Sequence, residues 1–213
     1  MGLKCSIGEV ANRIQASELQ DKGVLANCHV NVLQTQDHPQ FKTYAEELKW
    51  LTTDTTRMTW VANTIKDIAT SGNTLILVDR ISAGEMLEQK IKDSVFVSGS
   101  TKNMDRKEQY DEISTATNKV IIATYGVAAV GINIPRIFNL VLIEPGKSFV
   151  RVIQSIGRGI RKAQDKDSVQ IWDITSSCKF AKRHLGARKK FYKEANYPYN
   201  IEKINYENPY TRR

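Results

Sequence analysis

The stretch VIQSIGRGIRKA, residues 152–163, sets Arg158 and Arg161 three apart, with Gly157 and Gly159 flanking the first of them. Residues three apart project on one face of a helix, so two guanidinium groups can aim at one anion. Arginine suits phosphate because its planar fork stays charged and grips two oxygens at once. Aimed at a triphosphate held by another domain, such a pair would stabilise charge developing in phosphoryl transfer, where an arginine finger contributes on the order of 10³–10⁵ in rate. Each interior glycine costs a helix about 1 kcal/mol relative to Ala. Local stability therefore does not select Gly157 and Gly159, whereas close approach of ligand or partner backbone does. An ordinary charged surface helix has the same spacing, and spacing alone leaves both readings open.

A phosphate loop is the next thing to seek. Gly146-Lys147-Ser148 has the ending of one, but the glycine required five positions before Gly146 is replaced by Val141, inside a predicted strand. The tripeptide reads as a turn into a helix. GRGIRK lacks the third glycine of a dinucleotide fingerprint. No strand-ending Asp-Glu pair suited to magnesium precedes it at useful spacing. The sequence therefore predicts a chain that does not bind and hydrolyse a nucleoside triphosphate alone.

The chain has 213 residues, 41% hydrophobic and 25% charged, which is ordinary globular composition. No apolar run approaches the roughly 18 residues of a membrane span, and the first residues show no signal-peptide pattern. Cys5, Cys28 and Cys178 are widely spaced, form no CxxC pair, and do not cluster with His29, His38 or His184. They read as reduced thiols of a cytosolic-type protein with no metal site. The net charge is +8, and residues 179–213, with ten basic and three acidic side chains, hold +7 of it. Within that tail, KFAKRHLGARKKFYK interleaves basic residues with Phe180, Phe191 and Tyr192. Two readings are open: a solvated helix face, or contact with nucleic-acid phosphates while the aromatics pack or stack.

The elements that must position these groups alternate in type. TLILVD (74–79), VFVSG (95–99), KVIIAT (119–124), LVLIE (140–144) and VQIWDI (169–174) are apolar runs of strand length, and CHVNVLQT (28–35) reads as another. Near-continuous apolar strands point to a parallel sheet buried on both faces. Helices are expected at TDTTRMTWVANTIKDIATSG, with Trp60, Ile65 and Ile68 on a buried face and Gly72 near its end. Others are expected at SAGEMLEQKIKD, NMDRKEQYDEISTATN and SFVRVIQSIGRGIR. Ser82 with Glu85 predicts a capping box. ANYPYNIEKINYENPYTRR reads as loop or a short docked strand. The fold class expected is α/β, with helices on both faces of a doubly wound sheet. The expected divisions are a lead-in linker and helix (1–72), a core (73–175) and a basic helical extension (176–213).

QSIGRGIR resembles the QxxGRxxR motif of superfamily 2 helicases, with Gln154, Gly157, Arg158 and Arg161 at the fixed positions. IIATYGVAAVGINIP resembles the preceding motif, with Thr124, Ala128, Ala129, Gly131 and Pro135 in place. TLILVDRISAGEMLEQKI and VFVSGSTKNMDRKEQYDEI resemble two earlier segments in the same order, so the likeness spans residues 73–174. YAEELKWLTTDTTRMTWVANTI and KKFYKEANYPYN look similar to phage helicases of the UvsW type, which remodel branched DNA. The resemblance implies the second, C-terminal RecA-like domain of a two-domain ATPase. ATP and Mg would be held mainly by an N-terminal RecA-like domain bearing the phosphate loop. Arg158 and Arg161 would face the γ-phosphate, and Gln154, Gly157, Gly131 and Asn133 would lie at the nucleotide side. Gln154 would also couple it to the DNA face. Thr124, Ser98 and Gly99 would meet the nucleic-acid backbone. Two departures stand out: Asn133 replaces the usual Asp, and Tyr125-Gly126 replaces the common Asp-Val.

Lys182, Arg183, Arg188, Lys189 and Lys190 complete the expected nucleic-acid contacts. The leading expectation is thus the motor domain of an ATP-dependent DNA helicase or translocase in recombination or repair, inactive alone. Its setting would be the cytoplasm of a phage-infected bacterium, with DNA, or RNA in its place, as partner. The alternatives are a stand-alone nucleic-acid-binding module and an unrelated α/β metabolic enzyme. The last finds no compact nucleophile, base or metal cluster, and Asp173 at a strand end reads as structural.

Overall fold

A computed structural model of the protein describes residues 28–99, 118–130, 137–146, 149–154 and 169–206. Gly131, Asn133, Gly157, Arg158 and Arg161 lie outside the described residues, as does all but the last residue of the helix expected over 103–118.

Seven strands form one sheet: β1 (Cys28–Thr35), β2 (Thr74–Val78), β3 (Ser94–Val97), β4 (Val120–Thr124), β5 (Asn139–Ile143), β6 (Val169–Ser176) and β7 (Tyr199–Ile204). Their order is β3-β4-β2-β5-β6-β1-β7, and each pairing is parallel. Every residue of β2 and β5 is buried, as runs without polar alternation require. Around the sheet lie α1 (Tyr44–Thr53), α2 (Thr55–Ala69), α3 (Ile81–Lys90), α4 (Tyr125–Val130) and α5 (Lys179–Glu194), and residues 149–154 are also helical.

Alternate strand residues feed two cores. On one face Leu75, Leu77, Ile121, Leu140, Leu142 and Ile171 meet Phe149, Val152, Ile153, Leu185 and Tyr192. On the other, Ile76, Val78, Ile122, Val141, Ile143 and Ile174 meet Met58, Val61, Ile65 and Ile68 of α2 and Ala83 and Leu87 of α3. Helices therefore cover both faces, as the strand composition implies. Trp60 is half-buried and packs against the second core beside the buried Ile65 and Ile68.

The expected three-part division meets a sheet that is continuous through all its parts. β1, from the lead-in, pairs with β6 over eight residues and with β7, from the extension, over six. Both segments thus supply main-chain hydrogen bonds to the sheet. Caps differ from expectation at one helix. Thr43 and Asp54 accept from the amides of Glu46 and Arg57 and start α1 and α2. At α3 the helix begins at Ile81 with Arg80 as N-cap and no side-chain cap. Ser82 is already inside the first turn, so the Ser82–Glu85 capping box does not form.

Candidate functional site

Because the strands are parallel, all their carboxyl ends open on one edge, where α/β sheets bind ligands. Val97 pairs with Ala123, so the next residues, Ser98 and Thr124, end neighbouring strands side by side, with Gly99 following. A Cβ built on Gly99 would meet nothing within 4 Å, so internal packing does not demand a glycine there. The Thr124 hydroxyl accepts from the amide of Val127 (3.3 Å) and caps the turn into α4. As the acceptor in that bond it keeps its own hydrogen to donate. The three residues expected to meet a nucleic-acid backbone are thus brought together.

Gln154 lies in the helical stretch described over residues 149–154 and is half-buried. Phe149, Val152 and Ile153 anchor that stretch in the core. Phe149 also stands edge-on to Phe191 (5.3 Å) and Tyr192 (5.6 Å) of α5. Gln154 is therefore held by a stretch anchored in the core, four residues before Arg158 in the sequence.

Helix α5 divides the expected basic contacts. Lys182, Arg183 and Lys190 are exposed and Lys189 is half-buried. Arg188 corrects the sequence reading, being only 3% exposed. Its Nε and Nη2 donate to the two carboxylate oxygens of Asp173 (2.7 and 3.0 Å), and its Nη1 donates to the carbonyl of Pro145 (2.7 Å). Tyr192 Oη donates to the same carboxylate at 2.7 Å. Arg188 falls in phase with Ala181, Leu185 and Tyr192, all buried, which is the core stripe of the helix. Its guanidinium is spent inside the fold and is not offered to phosphate. Phe191 and Tyr192 likewise pack in the core.

A second buried arginine lies opposite. Arg57, fully buried, donates to Thr35 Oγ1 (3.2 Å), Leu51 O (2.6 Å), Glu144 Oε1 (2.6 Å) and Thr175 O (3.3 Å). Glu144 also accepts from Thr175 Oγ1 at 3.2 Å and sits at φ 44°, an uncommon conformation for a side-chain-bearing residue. Burial raises the Glu144 carboxyl to about 7, against the pull of Arg57 and Arg188. Glu47, also buried, accepts from the amides of Phe180 (3.0 Å) and Ala181 (2.7 Å). It satisfies the amino end of α5 from another helix. Sequence reasoning missed Arg57, Glu144 and Glu47. The available signal was a charge in phase with an apolar stripe: Arg57 with Val61 and Ile65, Glu47 with Leu51.

Among the described residues, no group of three or more His, Cys, Asp or Glu is placed to hold a metal ion. No helix among them is long and apolar enough to cross a membrane.

Comparison with known proteins places these features. The family described as helicase conserved C-terminal domain matches residues 56–163. The chain is 27% identical over 195 residues to the ATP-dependent DNA helicase uvsW of Enterobacteria phage T4, covering 86% of this chain and 39% of that protein. The chain thus spans about two fifths of that relative's length. The crystal structure of T4 UvsW aligns with a TM-score of 0.74 at 22% identity, over 84% of this chain and 42% of that one. The C-terminal domain of the DEAD-box protein Dbp5 aligns with a TM-score of 0.55 at 19% identity, over 86% and 92%. These likenesses establish the RecA-like fold.

Two outcomes test the buried charges. Arg188→Ala, which strands Asp173 without its partner, should lower unfolding free energy by about 3–5 kcal/mol in urea titrations. Lys182→Ala, Arg183→Ala and Lys190→Ala should each change it by less than about 0.5 kcal/mol. Glu144 is an acid held in the fold above the ordinary carboxyl value of 4.5. The folded state therefore binds the extra proton, and this group's contribution to stability falls as pH rises from about 4.5 through about 7. Urea midpoints compared at the two ends of that window should fall less with pH in Glu144→Gln than in the wild type. An equal fall in both would remove Glu144 as the source.

Proposed function

The chain belongs to the helicase conserved C-terminal domain family, and on that premise we propose that it is the second motor domain of an ATP-dependent DNA helicase or translocase that remodels branched DNA in recombination or repair. The observation that carries the proposal is the shared carboxyl edge. Thr124 ends β4, next to β2, and Ser98 and Gly99 follow β3, one strand further out. The chain runs into Arg158 and Arg161 from a helical stretch packed in the same core.

In this reading a P-loop domain, joined to the chain or meeting it in trans, holds ATP and Mg²⁺. Arg158 and Arg161 stabilise the charge that develops on the transferring phosphoryl group. Gly131, Asn133, Gly157 and Gln154 line the nucleotide side of the cleft. Closing the cleft on ATP and opening it after hydrolysis shifts the grip of the sheet edge along the nucleic-acid backbone. The setting is the cytoplasm of a phage-infected bacterium, and RNA remains a second substrate class for contacts made only to backbone.

A second reading, a nucleic-acid-binding module without catalysis, is favoured by one observation. Lys179, Lys182, Arg183, Lys190 and Lys193 lie exposed on α5 while its opposite face is buried.

In an ATPase assembled with its P-loop domain, Arg158→Ala and Arg161→Ala should each cut DNA-stimulated turnover at least about 10³-fold while DNA affinity survives. Near-normal turnover in both would remove the finger assignment. Replacing Lys182, Arg183 and Lys190 by Ala together should weaken DNA binding and flatten the plot of log K against log salt by about 0.7–0.9 for each lost contact. An unchanged slope would take α5 out of the interface.

A further inference from the structure

Among the described residues three large hydrophobic side chains are exposed: Ile81 (51%), Ile201 (38%) and Tyr44 (36%). Two of them belong to the carboxyl edge. Ile81 opens α3, three residues past the end of β2. Tyr44 opens α1, and its hydroxyl would lie 3.2 Å from a Cβ built on Gly146, just past β5. Arg80 Nη2 donates to the carbonyl of Ala45 (3.5 Å), which ties the end of β2 to the start of α1.

The Tyr44 ring is backed by α5. It meets His184 edge-on at 4.8 Å and lies 6.3 Å from Phe180. Cations crown the same cluster: Lys179 Nζ and the Arg183 guanidinium each stand 5.5 Å from the Phe180 ring centre. Burial, then the nearby Asp79 and Glu144, push the Tyr44 phenol up, so the ring is neutral at working pH. A half-exposed aromatic propped by other rings and flanked by cations is the composition that binds single strands, with bases on rings and phosphates on the charges. A protein-docking face would instead present a contiguous apolar patch.

We infer that Tyr44, supported by Phe180 and His184, stacks an unpaired nucleobase, while Lys179 and Arg183 hold the adjoining phosphates. This rests on the proposed nucleic-acid role of the sheet edge and extends it to a base contact outside the helicase motifs. The strands β3, β4, β2 and β5 are successive neighbours. At about 4.8 Å per step the path from Ser98 to the Tyr44 side of β5 is roughly 14 Å. That path spans a few nucleotides, with backbone contacts at one end and the ring at the other.

The test uses the full chain and a single-stranded oligothymidylate of about twelve nucleotides, an abasic oligomer of equal length, and the same DNA carrying 2-aminopurine. Wild type should bind the base-bearing strand at least about fivefold more tightly than the abasic one and quench 2-aminopurine. Tyr44→Phe should retain both properties. Tyr44→Ala should bind the two strands equally and quench little. The comparison on wild type alone decides the point if Tyr44→Ala unfolds: equal affinity for the two strands overturns the inference. Tyr44→Ala binding and quenching like wild type overturns it too and leaves the nucleic-acid reading standing. Failure of the chain to bind any of these strands or a duplex removes that reading as well. Intact single-strand binding with lost association to a P-loop domain would assign Tyr44 to a protein interface instead.

Discussion

Two buried arginines grip one short loop, and the geometry of the candidate site depends on that grip. Arg57 reaches Glu144 from one core, and Arg188 reaches the Pro145 carbonyl from the other. Both partners lie just past the end of β5. Arg57 also binds the end of α1 and the ends of β1 and β6. Arg188 binds Asp173 in the middle of β6. Helices on opposite faces of the sheet are thereby tied to two adjacent residues, Glu144 and Pro145.

Buried ion pairs of this kind are weak evidence of net stability, because desolvation offsets much of their attraction. Their geometric effect is clearer. Apolar contacts alone tolerate small slides between packed layers, whereas a guanidinium with three or four directed bonds does not. In the proposed motor reading such rigidity matters, since small misplacements of reacting groups cost large factors in rate. The left-handed backbone at Glu144 lies at this point, where the surrounding bonds can hold an uncommon conformation in place.

Helix α5 serves two surfaces at once. Ala181, Leu185, Arg188 and Tyr192 complete a core, while Lys182, Arg183 and Lys190 remain in solvent. Glu47 fixes its amino end, so the exposed cations have a rigid support. Gly186 sits on the exposed side, and a Cβ there would meet nothing. The same helix backs Tyr44, which links the basic face to the sheet edge.

The sequence by itself determined the strands and the layering. Continuous apolar runs such as TLILV and NLVLI admit little but a sheet covered on both sides, and the alternating helices then require parallel crossovers. It also supplied the ordered motifs that place the family, because those are local in the chain. Tertiary structure decided what each charge is for. Arg188 and Lys190 are two residues apart in one basic run, yet one is sealed against Asp173 and the other faces water. Composition treats them alike; the phase of the helix and a carboxylate fifteen residues away in sequence separate them. Tertiary structure also decided that β1 and β7, at opposite ends of the chain, pair with each other. Pairing between distant segments is set by which buried faces and backbone donors remain to be satisfied once the rest of the sheet has formed, and no local pattern encodes that.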